Sequence, residues 1–370
     1  MSYQLENHIM VSLSIDGANL PLDGVMTLGH FKGKASLTRK LPTFNMELVD
    51  TIGAISSGGL MHDGAKIQLT LEVAGIKQVT NWRIFTHKST PIGRSVSYYV
   101  EGYLDSPLWW AGTATSNISG TSSEAIQAIA RQCSIQCEAT ATADKKLWLQ
   151  QGRTYAGFAA HVAQHGWASP SSCMVLGYDM TNLIVYKDAG AEPRTVGRIT
   201  NNVSNDKSIF VHSYFPESHA GAGNKHAAYQ STLHRQSLVA PSVTRDLTVK
   251  PNSLNPQRNV QIVNTIQTGY PRHSRVDVGN SSDVTELGRH QNIRIGSLFT
   301  QKITALTTMQ PMPFRLLDWV DYDMMLQAYE QSDVENSGSY LTTERLFLIQ
   351  GTQYFDQISG ERHGTNELEA

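Results

Sequence analysis

Two histidines one helical turn apart are the strongest candidates for metal chemistry in this sequence. His161 and His165 occupy positions i and i+4 of a predicted helix, so both imidazoles would lie on one face and could bind a divalent ion. The zinc-hydrolase pattern requires a glutamate directly after the first histidine, and Val162 stands there instead. No third ligand is indicated nearby. We therefore predict no metal site and no cofactor at this pair.

A group of aspartates near a tryptophan is the second candidate for catalysis. Asp318, Asp321 and Asp323 flank Trp319 and could supply carboxylates for acid/base or metal chemistry. Alternation of polar and apolar residues explains the same aspartates as the polar side of a strand. We favour this second interpretation, and the sequence contains no nucleophile elbow or dinucleotide fingerprint that would require catalysis.

Two further groups of side chains could bind ligands. Four histidines lie in a Gly- and Ser-rich stretch with irregular spacing, which is more typical of a solvated loop than of a metal site or pH switch: His212, His219, His226 and His234. Aromatic residues of the N-terminal third could form platforms for sugars, although core or domain-junction positions explain them more simply: Tyr98, Tyr99, Trp109 and Trp110.

Composition excludes several classes of partner. The chain has 370 residues, 17% of them charged, and a formal net charge of −2, so no global field attracts it to nucleic acid or anionic membranes. The segment from Met1 to Asn7 lacks the pattern of a secretory signal, and no apolar stretch is long enough to span a bilayer. We predict a soluble protein made in the cytoplasm, without stable membrane insertion or sequence-specific binding of nucleic acid. Its three cysteines are predicted to be free buried thiols.

The N-terminal residues are patterned as short antiparallel strands. The predicted strands are Ile9 to Ile15, Val25 to Phe31, Ala65 to Val73, Val79 to Phe85 and Ser95 to Tyr103. Turn candidates separate them: Asp16-Gly17, Lys32-Gly33-Lys34, Gly75 and Gly93. This spacing favours a barrel or sandwich over residues 1–108.

A compact mixed segment from Thr121 to Lys187 interrupts the β pattern. A capping box formed by Thr121 and Glu124 predicts the start of one helix, and Thr154 predicts the start of another that ends at Gly166 through positive φ. Short apolar runs predict strands at Leu147–Leu149, Met174–Leu176 and Leu183–Tyr186. We interpret the segment as a small inserted α/β module.

The remaining chain is predicted to return to strands with interruptions. A strand is expected from Val203 to Phe215, a loop from Pro216 to Gln236, and alternation from Gln291 to Thr304. Later predictions are Phe314 to Val320 as a strand, a helical turn at Met324 to Tyr329, and a terminal hairpin that pairs Arg345–Tyr354 with Thr365–Leu368, Gly360 lying in its connection.

The order of these segments resembles that of the central baseplate hub proteins of contractile-tailed phages. The related hub portion of type VI secretion spikes has the same plan. The segments that carry the resemblance are Thr121–Ala130, Lys146–Gln150, Thr154–His161, Phe347–Phe355 and Gly360–Thr365. The last two look like the closing hairpin of that family, with Phe347, Ile349, Tyr354, Phe355 and Thr365 as its structural residues.

The resemblance implies a β-rich α+β fold in which two antiparallel β-barrel domains flank an inserted small α/β module. We expect a first barrel at 1–108, the module at 109–200, the second barrel at 201–240 and 309–370, and an irregular β excursion associated with the module at 241–308.

The same resemblance implies a function in assembly and not in catalysis. Three subunits would form a ring of six barrels that adapts a sixfold tail tube to a threefold central spike. The expected partners are two further copies, the tail tube protein, the spike protein and other baseplate proteins, in a virion tail assembled in the host cytoplasm. Two alternatives stay open: a hydrolase or metal-dependent enzyme, and a carbohydrate- or receptor-binding tail protein.

Overall fold

Strands dominate the computed structural model. It describes residues 9–22, 26–191, 193–202, 208–218, 232–236, 244–248, 274–278, 283–296, 299–326 and 331–363. Its largest sheet has 14 strands and is mainly antiparallel, and the helices are few and short. The β-rich α+β class predicted from the sequence is therefore confirmed.

The N-terminal β unit is a meander of antiparallel strands, as its alternating sequence predicts. It consists of β1 (Ile9–Ile15), β2 (Ala18–Asn19), β3 (Met26–Ser36), β4 (Thr43–Asp50), α1 (Ala54–Gly58), β5 (Lys66–Val73), β6 (Ile76–Ile92) and β7 (Ser95–Leu104). The strands lie side by side in the order β3-β4-β7-β6-β5-β1-β2. In β5 the residues Ile67, Leu69, Leu71 and Val73 are buried and the intervening positions are more exposed, as the alternation predicts.

Gly33 is not in a turn, contrary to the prediction from Lys32-Gly33-Lys34. It lies in the middle of β3, directly below the ring of Phe347, and a Cβ at this position would overlap that ring. The glycine is required by packing and not by a turn. The other predicted turns are present, because Gly17, Gly75 and Gly93 adopt positive φ between consecutive strands.

The α/β module follows. It contains α2 (Pro107–Ala111), β8 (Asn117–Gly120), α3 (Ser122–Gln132), β9 (Gln136–Ala139), β10 (Lys146–Leu149), α4 (Tyr155–Gln164), β11 (Met174–Asp179) and β12 (Leu183–Asp188). Two small sheets, β10-β8 and β11-β12-β9, support the helices. The predicted capping box is present: the Glu124 backbone N–H donates to the Thr121 hydroxyl, and the Thr121 N–H donates to the Glu124 carboxylate at 2.8 Å.

Two details of the module differ from the prediction. Helix α4 begins at the Thr154 cap but ends at Gln164, and Gly166 does not adopt positive φ. A Cβ at Gly166 would collide with the hydroxyl of Tyr186, so this glycine makes room for a buried tyrosine. In β10 only Trp148 is buried, whereas Leu147 and Leu149 are 53% and 44% exposed.

The C-terminal β unit returns to the large sheet. The elements in this part of the chain are β13 (Thr195–Thr200), β14 (Ile209–Phe210), β15 (Ser213–Ser218), β16 (Thr232–Gln236), β17 (Thr244–Thr248), β18 (Ser274–Val278), α5 (Asp283–Gly296), β19 (Phe299–Thr308), β20 (Trp319–Asp323), β21 (Met325–Leu326), β22 (Gln331–Ser332), β23 (Gly338–Gln350) and β24 (Gln353–His363). Strands β20, β23, β24, β19 and β15 pair antiparallel in that order, and β13 joins β20 in parallel. Strands β16, β17 and β18 form a separate sheet.

The segment from Gln291 to Thr304, in which alternation was predicted, does not form one strand. Residues 291–296 belong to α5, and β19 begins only at Phe299. Helix α5 is held against the module by the side-chain amides of Gln291 and Asn292. Asn292 Nδ2 donates to the carbonyls of Gly166 and Gln164 at 2.9 and 3.2 Å, and its Oδ1 accepts from Met174 N at 2.9 Å.

Other segments of this region also differ from the prediction. Pro216 lies inside β15, and residues 219–231 of the predicted loop fall outside the described residues. Within the predicted strand over 203–215, the structure contains β14 and the beginning of β15. Residues 203–207 lie outside the described residues. Phe314 and Leu316 are buried in a loop before β20, and Met325–Leu326 form a strand where a helical turn was expected. The strand is favoured because it pairs with β22.

The two β units are parts of one sheet. Strand β3 pairs antiparallel with β23, from Glu344 opposite Ser36 to Gln350 opposite His30. One hydrophobic cluster fills the N-terminal unit and the module and includes Phe347, Ile349 and Tyr354 of the C-terminal unit. A second fills the rest of the C-terminal unit, and a third lies between that unit and the module. None of the helices among the described residues has the length and apolar character needed to cross a bilayer.

Candidate functional site

The closing hairpin is the joint between the two β units. Strands β23 and β24 pair with Ile349 opposite Tyr354 and Leu348 opposite Phe355, and the turn between them contains Gly351 at φ 59°. Strand β23 also pairs with β3, and β24 pairs with β19. The hairpin therefore has a neighbouring strand on each side.

The register of this hairpin corrects the prediction. Residues 345–354 are not one strand: the chain reverses at Gly351, so 345–350 pair with 353–358. Gly360 lies inside β24 and not in a connection, where a Cβ would come within 2.7 Å of Tyr340 Cβ. The expected partner strand at Thr365–Leu368 lies outside the described residues.

Stacked aromatic rings fill the joint. Phe347 of the hairpin is nearly parallel to Phe31 of β3, with ring centroids 5.8 Å apart, and to Tyr354 at 6.5 Å. Phe31 in turn stacks on Phe44 at 5.4 Å and contacts Trp82. Phe347 and Tyr354 belong to the same hydrophobic cluster as Phe31, so the joint continues the N-terminal core, and large buried aromatic surfaces of this kind contribute strongly to stability.

A buried ion pair connects the hairpin to the loop before β20. Asp356 and Arg345 are 0% and 7% exposed, and their closest atoms are 3.7 Å apart. Asp356 Oδ2 accepts from Met312 N at 2.7 Å and from the Tyr354 hydroxyl at 3.2 Å, while Arg345 donates to Met312 O at 3.1 Å. Burial raises the pKa of Asp356, and the positive charge of Arg345 opposes that shift. The carboxyl has no access to a substrate and serves to hold the loop.

The sequence contained a signal for this pair that our prediction did not use. Arg345 is in phase with the inward-facing Phe347 and Ile349, and Asp356 is in phase with the inward-facing Tyr354 and Ile358. Because side chains alternate along a strand, two opposite charges in phase with apolar residues indicate a buried pair.

Two of the three aspartates near Trp319 have cationic partners. Asp318 is 4% exposed, accepts from Lys187 Nζ at 2.9 Å, and also accepts from Arg315 N at 2.9 Å. Asp321 pairs with Arg198 at 2.9 Å on the surface of β20. The structure thus places Asp318 at the contact between module and C-terminal unit, and Asp321 on the polar side of a strand.

The two histidines of α4 do lie together. Their ring centroids are 4.4 Å apart, and the Nδ1 atom of His165 is 2.8 Å from the backbone oxygen of His161, which fixes the orientation of that ring. Burial lowers the pKa of both imidazoles, that of His161 to about 4, so both are neutral at pH 7. Across the described residues, no group of three or more His, Cys, Asp or Glu side chains is arranged to hold a metal ion.

The remaining candidates are dispersed. His212 contacts Thr308 Oγ1 at 2.7 Å and His234 lies on β16, while His219 and His226 are outside the described residues. Trp109 is buried and donates to Lys40 O at 3.0 Å, and Tyr98 is also buried.

Tyr99 and Trp110 are less buried than Tyr98 and Trp109. Tyr99 is 38% exposed, and Trp110 contacts Tyr103, whose ring also contacts Phe85. Of the three free thiols, Cys133 and Cys173 are buried, and burial raises the pKa of all three cysteines.

Comparison with known proteins identifies the fold. No protein-family profile and no curated protein sequence matches the chain. A tail protein from Neisseria meningitidis MC58 is similar in structure, with a TM-score of 0.59 and 10% identity over 96% of this chain and 97% of the other. The 43 kDa tail protein of prophage MuSo2 from Shewanella oneidensis is similar with a TM-score of 0.59 and 11% identity over 96% and 98%.

A type VI secretion component is also similar. The E. coli protein, described as resembling the T4 tail proteins gp27 and gp5, has a TM-score of 0.51 and 9% identity over 96% of this chain and 79% of its own. The resemblance inferred from the sequence is confirmed at the level of fold. The chain therefore adopts the fold of these phage tail proteins and of this component of type VI secretion.

Proposed function

We propose that the chain is a structural hub of the tail baseplate of a phage or a related contractile injection machine. The observation that carries this proposal is the fold similarity to two phage tail proteins, which extends over nearly the full length of each chain. The closing hairpin supports it, because β23 joins the two β units into one sheet and gives each subunit a fixed pair of β surfaces.

In this proposal three copies form a ring. Each copy contributes two β units, so a closed threefold ring presents six units to a sixfold tail tube and three subunits to a central spike. The partners are the tail tube protein, the spike protein and other baseplate proteins. The site of action is the virion tail baseplate, which is assembled in the host cytoplasm.

We also propose a division of the chain close to the one expected from its sequence. The first β domain ends near residue 108, the module follows, and the C-terminal hairpin closes the second β domain. Strand β13 lies before residue 201 but pairs with β20 of the C-terminal sheet, which supports starting the second domain at Thr195.

The proposed role is not enzymatic. Three of the side chains that could have formed a catalytic site have structural partners: Asp318 pairs with Lys187, Asp321 with Arg198, and His165 contacts the backbone of its own helix. No observation favours the hydrolase or the sugar-binding alternative over the structural role.

Native mass spectrometry and negative-stain microscopy test the proposal. The purified protein is measured alone, with the tube protein, with the spike protein, and with both. We expect a trimer that carries spike on one side and tube on the other, with six density lobes in projection. A protein that stays monomeric in all four samples contradicts the ring, whereas a trimer that forms only with the spike agrees with it, because binding shifts assembly by mass action.

A further inference from the structure

A groove lies where the N-terminal unit, the module and α5 meet. It is bounded by the loop of residues 37–40 between β3 and β4, by α4 and β11 of the module, and by the C-terminal end of α5. Its volume is about 390 Å³. That volume lies in the range of sites that bind small ligands or the side chains of a docked peptide.

The floor of the groove is apolar. Leu37, Val175 and Leu176 are half-buried, and Ile293 of α5 is 54% exposed at its edge. Small residues of α4 and Gly177 make the surface concave, and a Cβ at Gly177 would come within 2.9 Å of Leu37 Cδ2. Filling such a floor with apolar side chains removes water from both surfaces and is favourable.

The rim of the groove is positively charged. Arg39 and Lys40 are exposed, and the described residues that line the groove include no Asp or Glu. Arg39 Nη1 donates to the Thr43 hydroxyl at 3.0 Å, which orients the guanidinium without neutralising it. Within the described part of the chain, neither cation has a carboxylate at ion-pair distance.

The walls of the groove are fixed before anything binds. The loop is held by Trp109 Nε1, which donates to Lys40 O at 3.0 Å. Helix α5 is held by the amide contacts of Asn292 with the end of α4 and the start of β11. A preformed site loses little conformational entropy on binding, so this groove is suited to recognition.

We propose that the groove binds a segment of a partner polypeptide in which apolar side chains alternate with Asp or Glu. The apolar side chains would enter the floor, and the carboxylates would face Arg39 and Lys40. Charge complementarity selects this occupant over a basic segment, because like charges at the rim would repel. The inference is independent of the ring, since the groove lies within one subunit.

Peptide binding tests the inference. Three short fluorescent peptides of equal length are titrated into the full-length protein: one alternating Leu and Glu, one alternating Leu and Lys, and one alternating Ser and Glu. We expect the Leu/Glu peptide to bind saturably and the other two to bind roughly tenfold more weakly or not at all. In the double variant Arg39→Glu/Lys40→Glu, the preference should reverse to the Leu/Lys peptide.

Two further variants test whether peptide binding depends on the groove itself or on the charge of the protein surface in general. A control with two reversed charges elsewhere, Lys77→Glu/Arg94→Glu, should keep the preference of the parent protein, because both side chains are exposed outside the groove. Ile293→Ser should weaken every Leu-containing peptide while leaving the melting temperature nearly unchanged.

Binding of no peptide, or an unchanged preference in the Arg39→Glu/Lys40→Glu variant, overturns the inference. A reversal of preference in the control variant does so as well. The oligomeric state is measured on the same samples, so an absence of peptide binding and an absence of trimer formation are detected separately.

Discussion

Gly33 lies directly below the ring of Phe347 at the joint between the two β units. We predict that Gly33→Ala destabilises the protein by about 1–3 kcal/mol, because overpacking a well-filled core forces rings or backbone to move. Gly29 is a matched control on the same strand, since a Cβ there would sit 3.4 Å from Glu47 atoms, which is ordinary contact. Thermal and urea unfolding measure both variants. Equal stability of Gly33→Ala and Gly29→Ala would show that the ring does not require the glycine.

His161 should make stability depend on pH in a definite direction. Burial and, secondarily, the charge of His165 lower its pKa from 6.5 to about 4 in the folded protein. Between these values the unfolded chain binds a proton that the folded protein does not, so the contribution of His161 is full above pH 6.5 and is lost as pH falls to about 4. We expect His161→Gln to reduce the loss of melting temperature between pH 7 and pH 4.

His62 provides a control, because its pKa is shifted in the opposite direction to that of His161. Its pKa is raised, first by the contact with the Asp63 carbonyl and then by Asp16, so its contribution is present at low pH and is lost as pH rises through the folded-state value. His62→Gln should therefore not reduce the acid-induced loss. An unaltered pH slope in His161→Gln would contradict the assignment.

At the scale of elements, β24 is the central strand of the closing assembly. It has β23 on one side and β19 on the other, and its final residues include Arg362, which donates to the carbonyls of Ser337 and Glu335. Removing residues 360–370 would cut strand pairs on both sides and free those carbonyls. We predict aggregation and loss of assembly, because unpaired strand edges associate with one another.

The matched truncation removes only residues 364–370, after the end of β24. It should remain soluble, since it breaks none of the strand pairs described here. Size-exclusion chromatography and the soluble fraction after expression compare the two proteins. If the shorter chain lacking residues 360–370 stays soluble and assembles, the hairpin is not required to close the second β unit.

Patterns of neighbouring residues predicted those elements whose structure depends mainly on residues close in sequence. The capping box at Thr121 and Glu124 and the alternation in β5 depend on neighbours a few residues away, and both are present. The prediction was wrong where distant partners decide the structure. Alternation around Ile293 suggested a strand, but Asn292 lies in a helix and makes hydrogen bonds to Gly166 and Met174 of the module. Gly33 and Gly360 looked like turn residues because the rings and strands that cross them are far away in sequence.

At the scale of the whole molecule, the N-terminal unit is incomplete without the hairpin. Residues 1–108 alone would leave the β3 edge without its partner and Phe31 without the ring of Phe347. We predict that this fragment is insoluble and that attaching residues 338–363 through a flexible linker raises its soluble fraction, although only in part, because the β24 edge that pairs with β19 stays open. The same graft carrying Phe347→Asp is the control and should stay insoluble. A soluble, folded 1–108 fragment would contradict this dependence.

The class of fold could be predicted from the sequence because it depends on periodicity and on a resemblance in plan. The candidate site could be predicted only in part. Phe347 and Ile349 belong to the joint, but the pair Arg345–Asp356 and the groove beside Arg39 depend on register and on contacts between units. Alternation along each strand indicates that Arg345 and Asp356 are buried, but their pairing depends on the register of the hairpin, and the groove depends on segments that are distant in sequence.

The pairing of β3 with β23 also has a consequence for synthesis. Strand β3 emerges from the ribosome early, and its partner is made only near the end of the chain, a delay on the order of tens of seconds at typical elongation rates. During that interval the β3 edge is open to any complementary hairpin, including one from a neighbouring nascent chain on the same message. We therefore expect crowded synthesis to favour exchange of the closing hairpin between copies, and a holding chaperone that covers β3 to increase the yield of correctly closed subunits.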